Sequence, residues 1–188
     1  LVAAALMVLV APAGATTLTS PSGSNYTSSF KLASEGTLTF TDTIREWKCE
    51  WILEGKVEAH GSSVTAGGKV STLTIPSLAC LGGPISILST GSLEFHTDSE
   101  SADGNGIVTW VGFEMTIKYE NLGVSCKYGT GAGAKLGTLT GSKSTGSNAT
   151  VHVESFNLPR TGHSIFCGEG ATMTGSFKVV TPSYLDVD

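Results

Sequence analysis

Residues 46–59, EWKCEWILEGKVEA, decide the fold of this chain. Every second position carries a side chain that suits a core, and the positions between them are charged except for Ile52. Those alternate residues are Trp47, Cys49, Trp51, Leu53, Gly55, Val57 and Ala59. Because successive side chains of a strand point to opposite faces, this period predicts a long strand with one face on a core and one in water.

A second long run, residues 107–119, reads IVTWVGFEMTIKY and again places most of its apolar residues on the odd positions. Shorter alternating runs occur at 30–40, 85–95, 122–128, 150–158 and 171–179. Gly-rich turn signals separate the runs, and no segment shows a helical period. The chain is therefore expected to be all-β, an antiparallel β-sandwich or barrel.

The first fifteen residues have the character of a cleavable export signal. Residues 1–15 are apolar and end in Ala13-Gly14-Ala15, the small-residue pattern that precedes a cleavage site. This predicts a signal peptide at 1–15 and a mature chain at 16–188, which we interpret as one all-β domain with a weak internal duplication. The expected location is secreted, extracellular or on the cell-envelope surface. No later run is long enough to span a bilayer, so no membrane span is expected in the mature chain.

The charge balance argues against two classes of partner. Formal net charge is −5, and Lys and Arg form no cluster along the chain. Nucleic acid and anionic membranes both attract basic patches, so neither is an expected partner.

The four cysteines are Cys49, Cys80, Cys126 and Cys167. In an oxidising compartment they are expected to form two disulfides, which removes them as nucleophiles or metal thiolates. Four cysteines allow three connectivities. Each half of the chain leads from a cysteine in a strand through a Gly-rich turn to a second cysteine, which favours Cys49–Cys80 and Cys126–Cys167.

The C-terminal half carries a resemblance. The stretches that carry it are CKYG at 126–129, LGTL at 136–139, FCG at 166–168, GSF at 175–177 and TPSYLDV at 181–187. They resemble a family of exported, Gly/Thr-rich all-β proteins of actinobacterial type that has no assigned activity. The resemblance covers most of residues 85–188 loosely. It implies an exported scaffold and transfers no functional residue.

Short motifs in the chain are interpreted as turns. LPRTG at 158–162 matches a cell-wall sorting pattern but lacks the apolar stretch and basic tail that follow such signals. GTGAGAK at 129–135 lacks the order of a phosphate-binding loop and is expected to be a hairpin loop. The acidic residues within 98–105 have oxygens that suit calcium, although their spacing differs from a calcium loop and a solvated turn is favoured.

No catalytic, metal or cofactor site is expected. The histidines, at 60, 96, 152 and 163, are scattered, and no nucleophile elbow or zinc spacing occurs. The favoured function is a non-enzymatic structural or interaction domain whose partner is unknown, with a polysaccharide or another envelope protein as candidates. A secreted hydrolase is the least favoured interpretation.

The alternative is a carbohydrate-binding module built on Trp110. This residue falls on the polar positions of the 107–119 run, together with Glu114 and Thr116. An outward tryptophan stacks on a sugar ring, and the two polar side chains would bond its hydroxyls. The competing interpretation is that a loop or the opposite sheet covers Trp110.

Overall fold

The computed structural model of the protein describes residues 18–20, 22–58, 69–97, 104–162 and 165–188. The expected signal peptide at 1–15 lies outside these residues. The strands are β1 (Leu18–Thr19), β2 (Ser29–Ser34), β3 (Leu38–Thr41), β4 (Glu46–Glu58), β5 (Lys69–Leu81), β6 (Ile85–Ser89), β7 (Ser92–Thr97), β8 (Gly106–Val111), β9 (Glu114–Tyr119), β10 (Val124–Gly129), β11 (Ala134–Thr140), β12 (Thr150–Pro159), β13 (Gly170–Thr181) and β14 (Asp186–Val187). A 3-10 turn spans Glu120–Leu122, and the one-turn helix α1 spans Ser142–Thr145.

The strands close into an antiparallel barrel, so the predicted all-β class is confirmed. Around the barrel wall, each strand pairs with the next one in sequence order. The order begins with β2 and β3 together and continues with β4, β5, β7, β8, β11, β12 and β13. Strands β2 and β3 share one wall position, because both pair with β4 and with β13. The pairing of β13 with β12 on its other side closes the ring. Two of the ladders in this ring are short, because β5 pairs with β7 only at Lys69 and Val70, and β11 pairs with β12 only across 138–140.

The 107–119 run is one continuous stretch that bends between two sheets. Its first half, β8, lies in the barrel wall, and its second half, β9, joins β6 and β10 in a three-stranded sheet. Gly112 adopts a left-handed φ of 68° at the bend, which shifts by one residue the side chains that face inward. The apolar odd face is therefore confirmed for β9, whereas in β8 the buried residues are Gly106, Val108 and Trp110.

The segment between β10 and β11 runs beside the bend at Gly112. Gly112 N–H donates to the Gly131 carbonyl at 3.0 Å, and Thr130 N–H donates to the Phe113 carbonyl at 2.9 Å. Residues 129–135 therefore do not form a hairpin loop between β10 and β11. They carry the chain from the three-stranded sheet, where β10 pairs with β9, back to the wall, where β11 pairs with β8.

Large side chains fill the barrel interior. Trp110 lies against Phe113, Phe156 and Trp51, with ring centroids 4.2, 5.7 and 6.0 Å apart. Trp51 also stacks on Phe40 at 5.3 Å. Strand β4 has the alternation that its sequence predicts. The buried residues are Trp47, Cys49, Trp51, Leu53 and Val57. The interior is a packed core rather than a ligand cavity.

Both predicted disulfides are present. Cys49 and Cys80 lie directly opposite each other on β4 and β5, with Cα atoms 4.1 Å apart. Cys126 on β10 is bonded to Cys167 in the connection between β12 and β13, with Cα atoms 5.6 Å apart. The first bridge ties neighbouring wall strands, and the second ties the three-stranded sheet to the barrel. The expected internal duplication stays a prediction.

Four connections meet at one end of the barrel, which we call the apical end. They are the β3–β4 turn at 42–45, the β5–β6 turn at 82–84, the β9–β10 turn at 120–123 and the β12–β13 connection at 160–169. Arg45 Nη1 donates to the Gly82 carbonyl at 2.5 Å, Lys118 N–H to the Pro84 carbonyl at 3.3 Å, and Thr161 N–H to the Lys127 carbonyl at 2.9 Å. These bonds join the β3–β4 turn to the β5–β6 turn, and they join the β5–β6 turn to β9 and the β12–β13 connection to β10.

Candidate functional site

Trp110 lies inside the barrel and not on its outer face. Its side chain is 0% exposed, and its indole Nε1 donates to the Thr90 carbonyl at 2.8 Å. The bend at Gly112 is the physical reason, because it reverses the inward face between β8 and β9. Trp110 is therefore not the exposed aromatic that the carbohydrate hypothesis required.

Glu114 and Thr116 are not brought together with Trp110. Both lie half-buried on β9 in the three-stranded sheet, on the face opposite Met115 and Ile117, which are buried. A ligand that touches Glu114 and Thr116 does not reach the indole of Trp110. The three residues do not form one site.

The apical end is organised around one buried carboxylate, Asp42. Tyr119 and Tyr128 both donate their hydroxyls to Asp42 Oδ2, the second at 3.0 Å. The backbone N–H groups of Ile44 and Arg45 donate to Asp42 Oδ1 at 2.8 and 3.0 Å. The Asp42 side chain therefore stabilises the β3–β4 turn and connects the three-stranded sheet to that turn.

This network changes the ionisation of both phenols. Burial, then the hydrogen bond to Asp42 and its negative charge, raise the pKa of Tyr119 and of Tyr128 well above 10. The hydroxyls therefore stay protonated and act as donors at physiological pH. Neither tyrosine is available as a base or nucleophile under those conditions.

Three apical connections, and the end of strand β5 beside the fourth, each present at least one large apolar side chain to solvent. We call this set the apical tips: Ile44 in the β3–β4 turn, Leu81 at the end of β5, Leu122 in the β9–β10 turn, and Ile165 and Phe166 in the β12–β13 connection. Their exposed fractions are 41, 75, 60, 87 and 66%, respectively. Ile44 and Leu122 line the same shallow cleft.

The connections at the other end of the barrel have a different composition. The chain between β11 and β12 reads GSKSTGSNA, with no large apolar residue. Between β4 and β5 it reads AHGSSVTAGG, where Val64 is the single large apolar residue. Turns and loops are usually polar because they lie at the surface. These two connections are therefore more polar than the apical connections, whereas the connection between β13 and β14 also exposes Tyr184, by 43%.

The apical end also differs from the rest of the chain in charge. The four connections and the strand ends beside them carry nine charged side chains, the basic Arg45, Lys48, Lys118, Lys127 and Arg160 and the acidic Asp42, Glu46, Glu120 and Glu169. These charges sum to +1, so the remainder of the chain carries −6 of the net charge of −5. Because Asp42 is buried, the exposed part of this end is slightly basic.

A separate polar cleft of about 250 Å³ lies on the outer wall between β11 and β12. The two strands pair only across 138–140 and 150–152, and both are irregular beyond that point. The polar side chains that line it are Lys135, Thr138, His152, Glu154, Ser155 and Asn157. Bulges of this kind often re-aim side chains near binding sites.

The described residues contain one histidine–serine contact of the kind used in hydrolysis. His152 Nδ1 and Ser176 Oγ are 3.0 Å apart on neighbouring strands β12 and β13, where His152 is exposed and Ser176 is half-buried. Within the described residues, no carboxylate hydrogen-bonds the His152 ring to orient it as a base. His60 and His163 lie outside the described residues.

The acidic turn is described only at its end, since residues 98–103 lie outside the described residues. Asn105 Oδ1 accepts hydrogen bonds from Gly141 N–H at 2.8 Å and Ser144 Oγ at 3.1 Å. This amide therefore serves the start of α1. In the described part of the chain, no three His, Cys, Asp or Glu side chains are grouped to hold a metal ion.

The LPRTG stretch lies partly within a strand. Leu158 and Pro159 of the LPRTG stretch belong to β12 and pair with Ala171 and Gly170, so the motif ends a strand rather than forming a free loop.

Across the described ranges, no helix has the length and apolar content needed to cross a bilayer. No family model, curated protein or solved structure matches this chain.

Proposed function

We propose that the protein is an exported, non-enzymatic interaction domain of the cell envelope that contacts its partner through the apical tips. The observation that carries this proposal is the exposure of large apolar side chains on three apical connections and at the end of β5 beside the fourth. Soluble domains rarely group such side chains at one end unless another molecule covers them. The two disulfides support an oxidising, extracellular setting.

Because the barrel interior is filled by side chains, we expect a partner to bind on the outside of the barrel. Barrels that carry ligands internally leave a cavity along the axis, whereas aromatic rings occupy this one. The Asp42 network and the Cys126–Cys167 bridge hold the apical connections in place. A fixed surface loses little conformational entropy when it binds, which favours recognition over catalysis by mobile loops.

Sedimentation with washed actinobacterial cell envelopes tests the proposal. The triple variant Leu81→Ser, Leu122→Ser, Ile165→Ser changes three side chains that are 75, 60 and 87% exposed, so its melting temperature should stay near that of the wild type. The matched control is Val180→Ser, Tyr184→Ser, which removes exposed apolar residues outside the apical end. We expect the wild type and the control to sediment and the triple variant to stay in solution. Equal sedimentation of all three proteins would contradict the proposal.

A second candidate function is polysaccharide binding in the polar cleft between β11 and β12. Lys135, Glu154 and Asn157 provide the mixture of donors and acceptors that sugar hydroxyls require. A glycan array compared between the wild type and Glu154→Gln, Asn157→Ala tests this. A glycan that binds the wild type and not the variant supports it, and an absence of glycan binding by the wild type refutes it.

A further inference from the structure

We infer that the apical end docks on a lipid bilayer, with the apical tips in the acyl–headgroup boundary and neighbouring basic side chains at the lipid phosphates. This inference rests on the proposed function, since it names the partner of the same surface. It concerns docking at the surface of a bilayer and involves no membrane-spanning segment.

The arrangement of the tips favours lipid over a protein partner. Leu81 ends strand β5, whereas Leu122 and Ile165 lie in two different connections, so the three are separate exposed side chains near one end of the barrel. A protein partner needs a shaped pocket for each knob, because packing density at protein interfaces matches protein interiors. Lipid chains rearrange around each side chain and need no such match. Separate apolar knobs on fixed turns are therefore better suited to a fluid surface.

Hydrogen bonds fix backbone groups next to two of the tips before any contact is made. Arg45 Nη1 bonds the Gly82 carbonyl next to Leu81, and Arg160 Nη1 bonds the Cys167 carbonyl next to Phe166 at 2.6 Å. These bonds lie within one residue of the tips that they support. Insertion then orders little additional backbone, and most of the apolar transfer free energy remains available for binding.

Exposed cations stand beside the tips. Lys118 lines the cleft that also contains Ile44 and Leu122, and Lys127 lies on β10 beside the β12–β13 connection. Long basic side chains place their methylene stems along apolar surface and their charged ends at the headgroup level. Lys118 and Lys127 are therefore placed to reach lipid phosphates while the tips enter the bilayer.

The charge of the remaining surface sets the orientation. The apical end carries a net charge of +1, and the remainder of the chain carries −6. An anionic leaflet repels the acidic remainder, so the approach with the apical end facing the lipid is the least unfavourable one. The same field keeps the acidic barrel wall away from the membrane after docking.

Co-sedimentation with vesicles tests the inference. We would use phosphatidylcholine vesicles and vesicles of phosphatidylcholine with about one third phosphatidylglycerol, since anionic lipid adds attraction for Lys and Arg. The wild type should bind both. Each of the substitutions Leu81→Ser, Leu122→Ser and Ile165→Ser should lower the partition coefficient by about tenfold. The control Val180→Ser, Tyr184→Ser should stay within about twofold of the wild type.

A charge variant separates the role of the cations. Lys118→Gln, Lys127→Gln should lose the extra binding to phosphatidylglycerol and keep the binding to pure phosphatidylcholine, because only the first depends on phosphate charge. Its matched control is Lys56→Gln, Lys178→Gln, which removes the same charge from exposed positions on the barrel wall strands β4 and β13. Equal losses in the two variants would contradict the assigned orientation.

The two proposals fail in different ways. If the wild type binds envelopes through the tips but binds neither kind of vesicle, the lipid inference is overturned and another envelope component occupies the apical end. If the triple variant binds vesicles as well as the wild type does, the tips are not the docking surface and the lipid inference fails. If neither envelopes nor vesicles bind the wild type, both proposals fail together.

Discussion

The Tyr119 hydroxyl donates a buried hydrogen bond to the Asp42 carboxylate, which joins the three-stranded sheet to the β3–β4 turn. The two residues are 77 positions apart in the chain. Trp47 packs edge-to-face on Tyr119 with centroids 5.6 Å apart, so the contact continues into the barrel wall. This relationship makes the apical end part of the folded core.

Asp42→Ala should lower the free energy of unfolding by about 3 kcal/mol, because a buried hydroxyl left without an acceptor costs about 1–3 kcal/mol and two hydroxyls lose theirs. Asp42→Asn keeps one oxygen and should cost less. Chemical denaturation of both variants provides the measurement. Wild-type stability in Asp42→Ala would show that the network contributes nothing to folding.

Stability should fall as pH rises above about 10. Tyrosines of the unfolded chain ionise near pH 10, whereas burial and the Asp42 hydrogen bond raise the pKa of Tyr119 and Tyr128 in the folded protein. The folded state then binds more protons than the unfolded state, so the stabilisation is complete below pH 10 and declines above it.

Phenolate absorbance during an alkaline titration measures this effect. Since Tyr119 should not ionise before the protein unfolds, Tyr119→Phe should leave the part of the curve below the unfolding transition unchanged. A loss of absorbance change near pH 10 in that variant would mean that the Tyr119 hydroxyl is solvated.

The two disulfides should protect different parts of the molecule. Cys126→Ser, Cys167→Ser frees the β12–β13 connection and should allow chymotrypsin to cleave after the exposed Phe166 under native conditions. Cys49→Ser, Cys80→Ser should instead lower global stability by about 3.5 kcal/mol in the chain-entropy account, without early cleavage there. The time course of proteolysis, followed by mass spectrometry, distinguishes the two outcomes.

All three tryptophans should behave as core residues. Trp47, Trp51 and Trp110 are each at most 1% exposed, so emission should be blue-shifted and acrylamide should quench it weakly. Strong quenching in the folded protein would contradict the packed interior. It would also return Trp110 to consideration as a sugar-stacking residue.

The sequence predicted well where the structure depends on local alternation. Strand β4 follows its period from Trp47 to Val57, and that period places Cys49 on the buried face beside its partner. The prediction failed within the 107–119 run because one left-handed residue, Gly112, changes the inward face. A prediction that continues one alternation through such a glycine places Trp110 on the wrong face of its strand.

The apical end could not be predicted in the same way. Ile44, Leu81 and Leu122 are separated by tens of residues, and a single exposed aliphatic residue in a turn is unremarkable alone. The available signal was composition, because Leu81 and Leu122 stand directly beside turn glycines. Arg45, Lys118 and Lys127 are equally scattered, so the basic part of this end exists only in the folded chain.

Hydrogen–deuterium exchange with and without washed cell envelopes locates the surface that contacts the envelope. We expect new protection in the β3–β4, β5–β6, β9–β10 and β12–β13 connections, and unchanged exchange at 141–149 between β11 and β12. Protection confined to 141–149, or to the polar cleft formed by β11 and β12, would contradict the assignment of the apical tips as the contact surface.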